Sequence, residues 1–300
     1  MNDDTAIRSW LQEARSYASR GKHLHAVQIY RRVTAADPTL EAAWVELAHV
    51  YLHLRRLDAA EAALQQALAL TDDPTQILYS LAALHRESGN AYEATRYYRR
   101  LLLRERTLPK NIRAQLHYDL GVLYRERKNV RMAEHHLRIL HRLDPTYPRV
   151  AVMIAEILVH RSALSDATKF LRRAIAAEPH DWSAHVLLGQ VHAKRGEWEE
   201  ALEALNTAIG LDPDEPRGWH LCGSVLLAMH RLEESEPYLR KAVALDPKCV
   251  DALVDLGLLS LRTNALKQAS DYFLRALNVQ PGNRRARDGQ RELTRLRNAQ

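Results

Sequence analysis

The chain has 300 residues, 46% apolar and 27% charged, with a formal net charge of +6, a balance that supplies a core and excludes wholesale disorder. Only two cysteines occur, Cys222 and Cys249; without CxxC spacing or flanking histidines they are expected as free thiols, which excludes a disulfide scaffold and a structural zinc site. No apolar run approaches the roughly 18 residues of a membrane span, and the acidic N-terminal stretch does not read as a secretory signal, so a cytoplasmic location is expected.

In chain order, residues 1–6 read as an N-terminal tail, 7–108 as three repeats, 109–113 as an insertion, 114–281 as five more repeats, and 282–300 as a capping helix. The period shows first in punctuation: Pro145, Pro179, Pro213, Pro247 and Pro281 stand 34 residues apart. Extended upstream, that frame starts units at 7, 41, 75, 114, 148, 182, 216 and 250, with Pro109 to Arg113 as its single interruption. Within each unit a first helix carries large residues at the fourth, seventh and eleventh positions, as in Trp44, Leu47 and Tyr51, or Trp219, Cys222 and Leu226. A second helix carries a stripe at the twentieth, twenty-fourth and twenty-seventh, as in Ala26, Tyr30 and Val33, again at helical spacing. Gly21, Gly89, Gly196 and Asn264 lie between the two helices and enter the left-handed conformation cheaply. Asp-Pro then ends the second helix, because the residue before proline is pushed out of the α region and proline has no amide donor. In the cap, Ala286, Gly289, Leu293 and Leu296 share one face and arginines the other; Gly289 weakens the expectation of a regular helix there.

Two columns test the frame without proline. The eighth residues are Ala14, Ala48, Ala82, Gly121, Ala155, Gly189, Gly223 and Gly257; the twentieth are Ala26, Ala60, Ala94, Ala133, Ala167, Ala201, Ser235 and Ala269. Close crossing of two helices needs small side chains at the contact, so each unit is predicted to be an antiparallel helix pair. The set of small, Tyr or Leu, Ala, Tyr or Phe, Ala and Pro in a 34-residue unit resembles the tetratricopeptide repeat over residues 7–281, in eight copies. Departures are Glu13 for an apolar residue in the first unit, Asp72 for the closing proline of the second, and Ser235 for alanine in the seventh. The resemblance implies an all-α fold, a right-handed superhelical solenoid of antiparallel helix pairs, with the first helices lining a concave groove. It also implies a non-enzymatic scaffold for protein–protein interaction, needing no cofactor. In the chaperone-binding members of that family a clamp of Lys and Asn holds a partner's terminal carboxylate; here the corresponding positions hold Leu11 and Arg15, Val45 and His49, Tyr79 and Ala83, so that role is not expected.

On the first helices the second, fifth, ninth and twelfth positions share a face offset from the core stripe. They supply the candidate groove residues Arg8, Leu11, Arg15, His49, Tyr79, Arg86, Tyr118, Arg125, Arg149, Gln190 and His220, with His53 and Lys194 one place further. Arginine and tyrosine there suit a partner peptide or helix, through guanidinium forks and rigid aromatic area. The alternative ligand is RNA or an acidic partner on a basic band: residues 96–149 hold 14 Arg and Lys against 5 Asp and Glu, and "RYYRRLLLRER" at 96–106 interleaves aromatics with arginine, a pattern that can stack bases and neutralise phosphate. Histidines offer weaker leads. His49 and His53 stand at i and i+4 without a third ligand, His135, His136 and His141 lie among arginines, and His85, His117, His185 and His192 fall in core columns. No nucleophile elbow, P-loop or dinucleotide fingerprint occurs. The insertion at 109–113 predicts a three-plus-five division of the array with altered stacking at that point.

Overall fold

The computed structural model describes residues 3–147 and 149–298. It contains α1 (Asp3–Ser19), α2 (His23–Ala36), α3 (Glu41–His53), α4 (Leu57–Leu70), α5 (Thr75–Glu87), α6 (Ala91–Leu102), α7 (Lys110–Glu126), α8 (Val130–Leu143), α9 (Val150–His160), α10 (Leu164–Ala177), α11 (Trp182–Arg195), α12 (Trp198–Leu211), α13 (Pro216–Ala228), α14 (Leu232–Leu245), α15 (Val250–Arg262), α16 (Leu266–Val279) and α17 (Arg284–Asn298), with a 3₁₀ turn at Glu105–Thr107. Each odd-numbered helix up to α15 packs against the helix that follows it, joined by a short turn, so the elements are antiparallel pairs. The chain forms two compact units, Met1–Asp144 and Pro145–Gln300. Four pairs make up the first, and four pairs with α17 the second.

The pairs are held by a knob in a hole. All sixteen residues of the two small columns are buried. Into the gap they leave comes the twenty-fourth residue of the same repeat: Tyr30, Leu64, Tyr98, Leu137, Leu171, Leu205, Leu239 or Phe273, each at most 2% exposed. A Cβ added at Gly189 would lie 2.5 Å from Leu205 Cγ, and one added at Gly257 2.5 Å from Phe273 Cε1. Each buried knob contributes about 1.5–3 kcal/mol of apolar transfer, which requires the small partner to stay small. Ser235 fits the column because its hydroxyl donates to the carbonyl of Gly223 at 2.7 Å, leaving no unpaired polar group at the crossing.

Every turn between paired helices reverses through one left-handed residue. Gly21, Gly89, Gly196 and Asn264 fill that position as anticipated, but Arg55, Lys128, Ser162 and His230 take it as well, with φ of 57° to 61°. All eight are the fifteenth residue of their repeat. The turn between repeats has its own tether. Trp44 Nε1 donates to the carbonyl of Pro38 at 2.9 Å, Trp219 Nε1 to that of Pro213 at 2.8 Å, His185 Nε2 to that of Pro179 at 3.0 Å, and Arg287 Nη2 to that of Pro281 at 2.7 Å. The contact to His185 requires its Nε2–H tautomer.

Four expectations need correction. The proposed tail is already helical from Asp3; residues 1 and 2 lie outside the described residues, as do Pro148, which begins the fifth repeat, and residues 299 and 300 of the cap. The connection after the third repeat is longer than most, residues 103–109 against 71–74 after α4, but four of the five inserted residues lie outside it. Pro109 acts as a helix N-cap and Lys110 to Arg113 form the first turn of α7, since proline at a helix start costs no hydrogen bond. Leu108, 5% exposed, and a contact of 3.2 Å between Glu105 Oε1 and His117 Nε2 pin the segment before it. The division of the chain falls one repeat later, between Asp144 and Pro145. In the cap, α17 is an unbroken helix: Gly289 is the bare spot on which the Phe273 ring rests. Ala286 and Leu293 are buried there, whereas Leu296 is 39% exposed, beyond the reach of the last repeat.

Candidate functional site

Three carboxylates organise the first-helix face, and each occupies the sixth position of its repeat. In the first unit, Glu46 on α3 accepts Arg15 Nε from α1 at 3.0 Å on either oxygen and the hydroxyl of Tyr30 at 2.8 Å. Asp119 on α7, 3% exposed, accepts Arg86 Nη1 from α5 at 2.8 Å, Gln115 Nε2 at 3.3 Å and the Tyr79 hydroxyl. Tyr79 also meets Tyr98 edge to face, with centroids 5.9 Å apart. In the second unit Asp255 on α15, 1% exposed, accepts His220 Nε2 from α13 at 3.0 Å and Arg285 Nη2 from α17 at 2.5 Å. Burial works to raise the pKa of Asp255, but the hydrogen bond and charge of His220 and the charge of Arg285 outweigh it and hold the carboxyl below its ordinary value. Arg15, Tyr79, Arg86 and His220, expected to face a partner, are thus engaged in joining neighbouring first helices. Spacing along one helix could not reveal this, although an acid in the same register of repeats two, four and eight was a visible sign.

The remaining candidates divide. His49 lines a cavity of about 390 Å³ between α3 and α5, with Val45 and Glu46 on one wall and Gln76, Ile77 and Ser80 on the other. His53 leaves that row and stacks on His23, centroids 5.0 Å apart and planes 7° apart. Tyr118 is half-buried and Arg125 exposed on α7, both in contact with neighbouring groups. In the second unit, Gln190 and Lys194 lie on α11, half-buried and exposed respectively; Leu11 and Arg8 occupy α1, at the start of the first unit. Arg149 is not on the row: α9 begins only at Val150, so the residue falls at the N-cap with φ 59°, where helical periodicity does not apply. It borders a separate cavity of about 550 Å³ with Pro179, His180 and Trp182.

The core histidines carry partners. His192 Nδ1 lies 2.6 Å from Glu197 Oε2, and His85 stacks on Tyr97 at 5.4 Å. His117 and His136 meet Nδ1 to Nδ1 at 2.9 Å, 1% and 3% exposed. Burial, then the charges of His117 and His135, push the His136 pKa down to about 3. His135 is exposed at its edge, and His141 is half-buried in contact with its surroundings. Cys222 and Cys249 are free thiols; burial pushes the Cys222 thiol up to about 12, which makes it unreactive. Among the described residues no group of three or more His, Cys, Asp or Glu is placed to hold a metal ion, and no helix is long and apolar enough to cross a membrane.

The helix pairs and their register coincide with matches to two family models described as tetratricopeptide repeat, one at residues 17–84 and 158–225 and the other at 223–290. This chain belongs to the tetratricopeptide repeat family. No curated protein matches it. Among solved structures, a tetratricopeptide repeat protein from Parabacteroides merdae ATCC 43184 aligns with TM-score 0.54 at 17% identity, covering 85% of this chain and 99% of its own. MamA from Desulfovibrio magneticus RS-1, residues 41 to its end, aligns with TM-score 0.51 at 20% identity over 57% of this chain and 97% of its own. TTC0263, a thermophilic tetratricopeptide repeat protein of Thermus thermophilus, aligns with TM-score 0.51 at 18% identity over 60% and 98%. At these identities the likeness is one of fold. As a tetratricopeptide repeat protein the chain has the architecture of a protein-interaction scaffold.

Proposed function

We propose that this tetratricopeptide repeat protein is a non-enzymatic scaffold, working in the cytoplasm, that binds an extended peptide or a helix of a partner protein along the first-helix face. The observation that carries the reading is the cavity between α3 and α5. Its floor is apolar, with Val45 and Ile77, and its rim offers hydrogen-bonding groups from His49, Gln76 and Ser80, the combination that seats one side chain of a peptide and fixes its register. Glu46 keeps an acidic edge there, although Arg15 offsets its charge. Tyr79, Arg86 and His220 are taken up by Asp119 and Asp255, so the contact residues of the first unit are expected to be His49, Gln76 and Ser80, while Gln190 and Lys194 are the candidates on the second unit's own first helices.

The test is selection from a displayed library of random peptides on the full chain, followed by affinity measurement on variants. Ser80→Arg fills the cavity from a half-exposed position and is expected to weaken selected peptides at least tenfold while leaving helix content unchanged. Selected peptides that bind Ser80→Arg and Gln190→Arg as tightly as the parent would remove the first-helix face as their site. The basic band at 96–149 supports the second reading, an acidic ligand: Arg99, Arg100, Arg131 and Arg142 on α6 and α8 are all exposed on the second helices.

A further inference from the structure

We propose that the third and fourth repeats carry, on the second-helix side of the first unit, a pocket for a phosphomonoester borne by a peptide. This does not rest on the first-helix reading, and it gives the basic band a specific address. A cavity of about 240 Å³ is walled by Tyr92, Thr95, Arg96 and Arg99 of α6 and by Arg127 at the end of α7. Tyr92, Arg96 and Arg99 are four and three residues apart, so one face of α6 presents them together. Arg127 comes from the next repeat and is fixed in place: its Nη1 donates to Thr95 Oγ1 at 3.1 Å, and that hydroxyl in turn donates to the carbonyl of Ala91 at 2.7 Å.

The charge count selects the ligand. Three guanidinium groups line the space, and Glu93, 3.2 Å from Arg96, offsets one of them, leaving a local charge of three minus one, or two. Like charges held around one cavity repel, and an anion between them removes that cost. A single carboxylate brings one charge and two oxygens, enough for one bidentate arginine. A phosphomonoester brings a charge of about −1.5 to −2 at neutral pH and three acceptor oxygens, which matches the local charge and supplies two oxygens for the fork of Arg99 and a third for the Arg127 N–H groups not held on Thr95. Tyr92, 71% exposed, stands at the rim and offers a flat surface to the chain on either side of the phosphorylated residue. A nucleic-acid strand spreads its charge along a track of stacking platforms, whereas this pocket has room for one phosphate.

The experiment is fluorescence anisotropy on the full chain with three labelled probes: a heptapeptide of glycine and alanine around one phosphoserine, its unphosphorylated twin, and an oligouridylate of equal length, with inorganic phosphate as competitor. The phosphopeptide is expected to bind at least tenfold more tightly than its twin and than the oligouridylate. Arg99→Glu, on an exposed side chain, is expected to reduce that binding at least tenfold with unchanged circular dichroism. Arg142→Glu, the same charge change outside the cavity, is expected to leave it within twofold. Equal binding of the twin, equal loss in both variants, preference for the oligouridylate, or inorganic phosphate binding as tightly as the phosphopeptide would each overturn the assignment. The first-helix variant Ser80→Arg is expected to leave phosphopeptide binding intact, so the two sites fail or stand separately.

Discussion

His117 and His136 present their Nδ1 atoms to each other at 2.9 Å, and Glu105 faces the far nitrogen of His117. A carboxylate accepts, so His117 carries its proton on Nε2 and its Nδ1 accepts the Nδ1–H of His136. Both rings are then neutral, and Tyr124 stacks flat on His136 at 5.5 Å. The price appears in acid. With its pKa lowered from 6.5 to about 3, the folded His136 refuses a proton that the unfolded chain accepts below about pH 6.5. Its contribution to stability is therefore complete above 6.5 and is lost as pH falls toward 3, with a slope of up to about 1.4 kcal/mol per pH unit. Urea unfolding of the parent and of His136→Phe at pH 7, 6, 5 and 4 checks this. The variant is expected to lose stability less steeply on acidification, and parallel pH profiles would mean that the ring titrates normally in the fold.

Helix turns show how the repeat uses its letters unevenly. The fifteenth position requires φ near +60° in all eight repeats, but glycine or asparagine occupies only half of them. A side chain in that region costs about 1–2 kcal/mol, partly offset because glycine would loosen the unfolded chain. Replacing His230 by glycine is expected to raise stability by about 1 kcal/mol, visible as a higher urea midpoint with unchanged slope; a lower midpoint would mean that the imidazole makes a compensating contact. The helix pairs themselves were plain in the sequence, because a knob at position 24 forces position 8 to be small and the constraint repeats in every copy. Turns at Arg55, Lys128, Ser162 and His230 were not, since backbone geometry is imposed there by the two helices and leaves no compositional trace. The fate of Pro109 to Arg113 was hidden for a related reason: a count of inserted residues does not say whether they extend a loop or a helix.

Across the whole molecule, the ends and the first-helix face follow from what each repeat leaves uncovered. α17 closes the second unit by laying Ala286 and Leu293 on the last pair and by reaching Asp255 with Arg285. Asp255→Asn removes a charge-assisted hydrogen bond from a buried position and is expected to cost about 2 kcal/mol, with faster amide exchange in α17 than in α11 and α12 as the regional signature. Protection of α17 equal to the parent would show that apolar contact alone holds it. The candidate site was only partly legible. Apart from Arg149, which precedes α9, the candidates lie on first helices, but which of them meet depends on the rotation between one repeat and the next, and periodicity is blind to that angle. The carboxylates at 46, 119 and 255 turn the angle into pairings that differ from joint to joint: Arg15 with Tyr30, Arg86 with Tyr79, His220 with Arg285. A cassette bearing one of these acids would arrive in another slot with an unmatched charge, so those copies, alike in outline, are keyed to their addresses, and gene duplication could multiply them only by rewriting their seams.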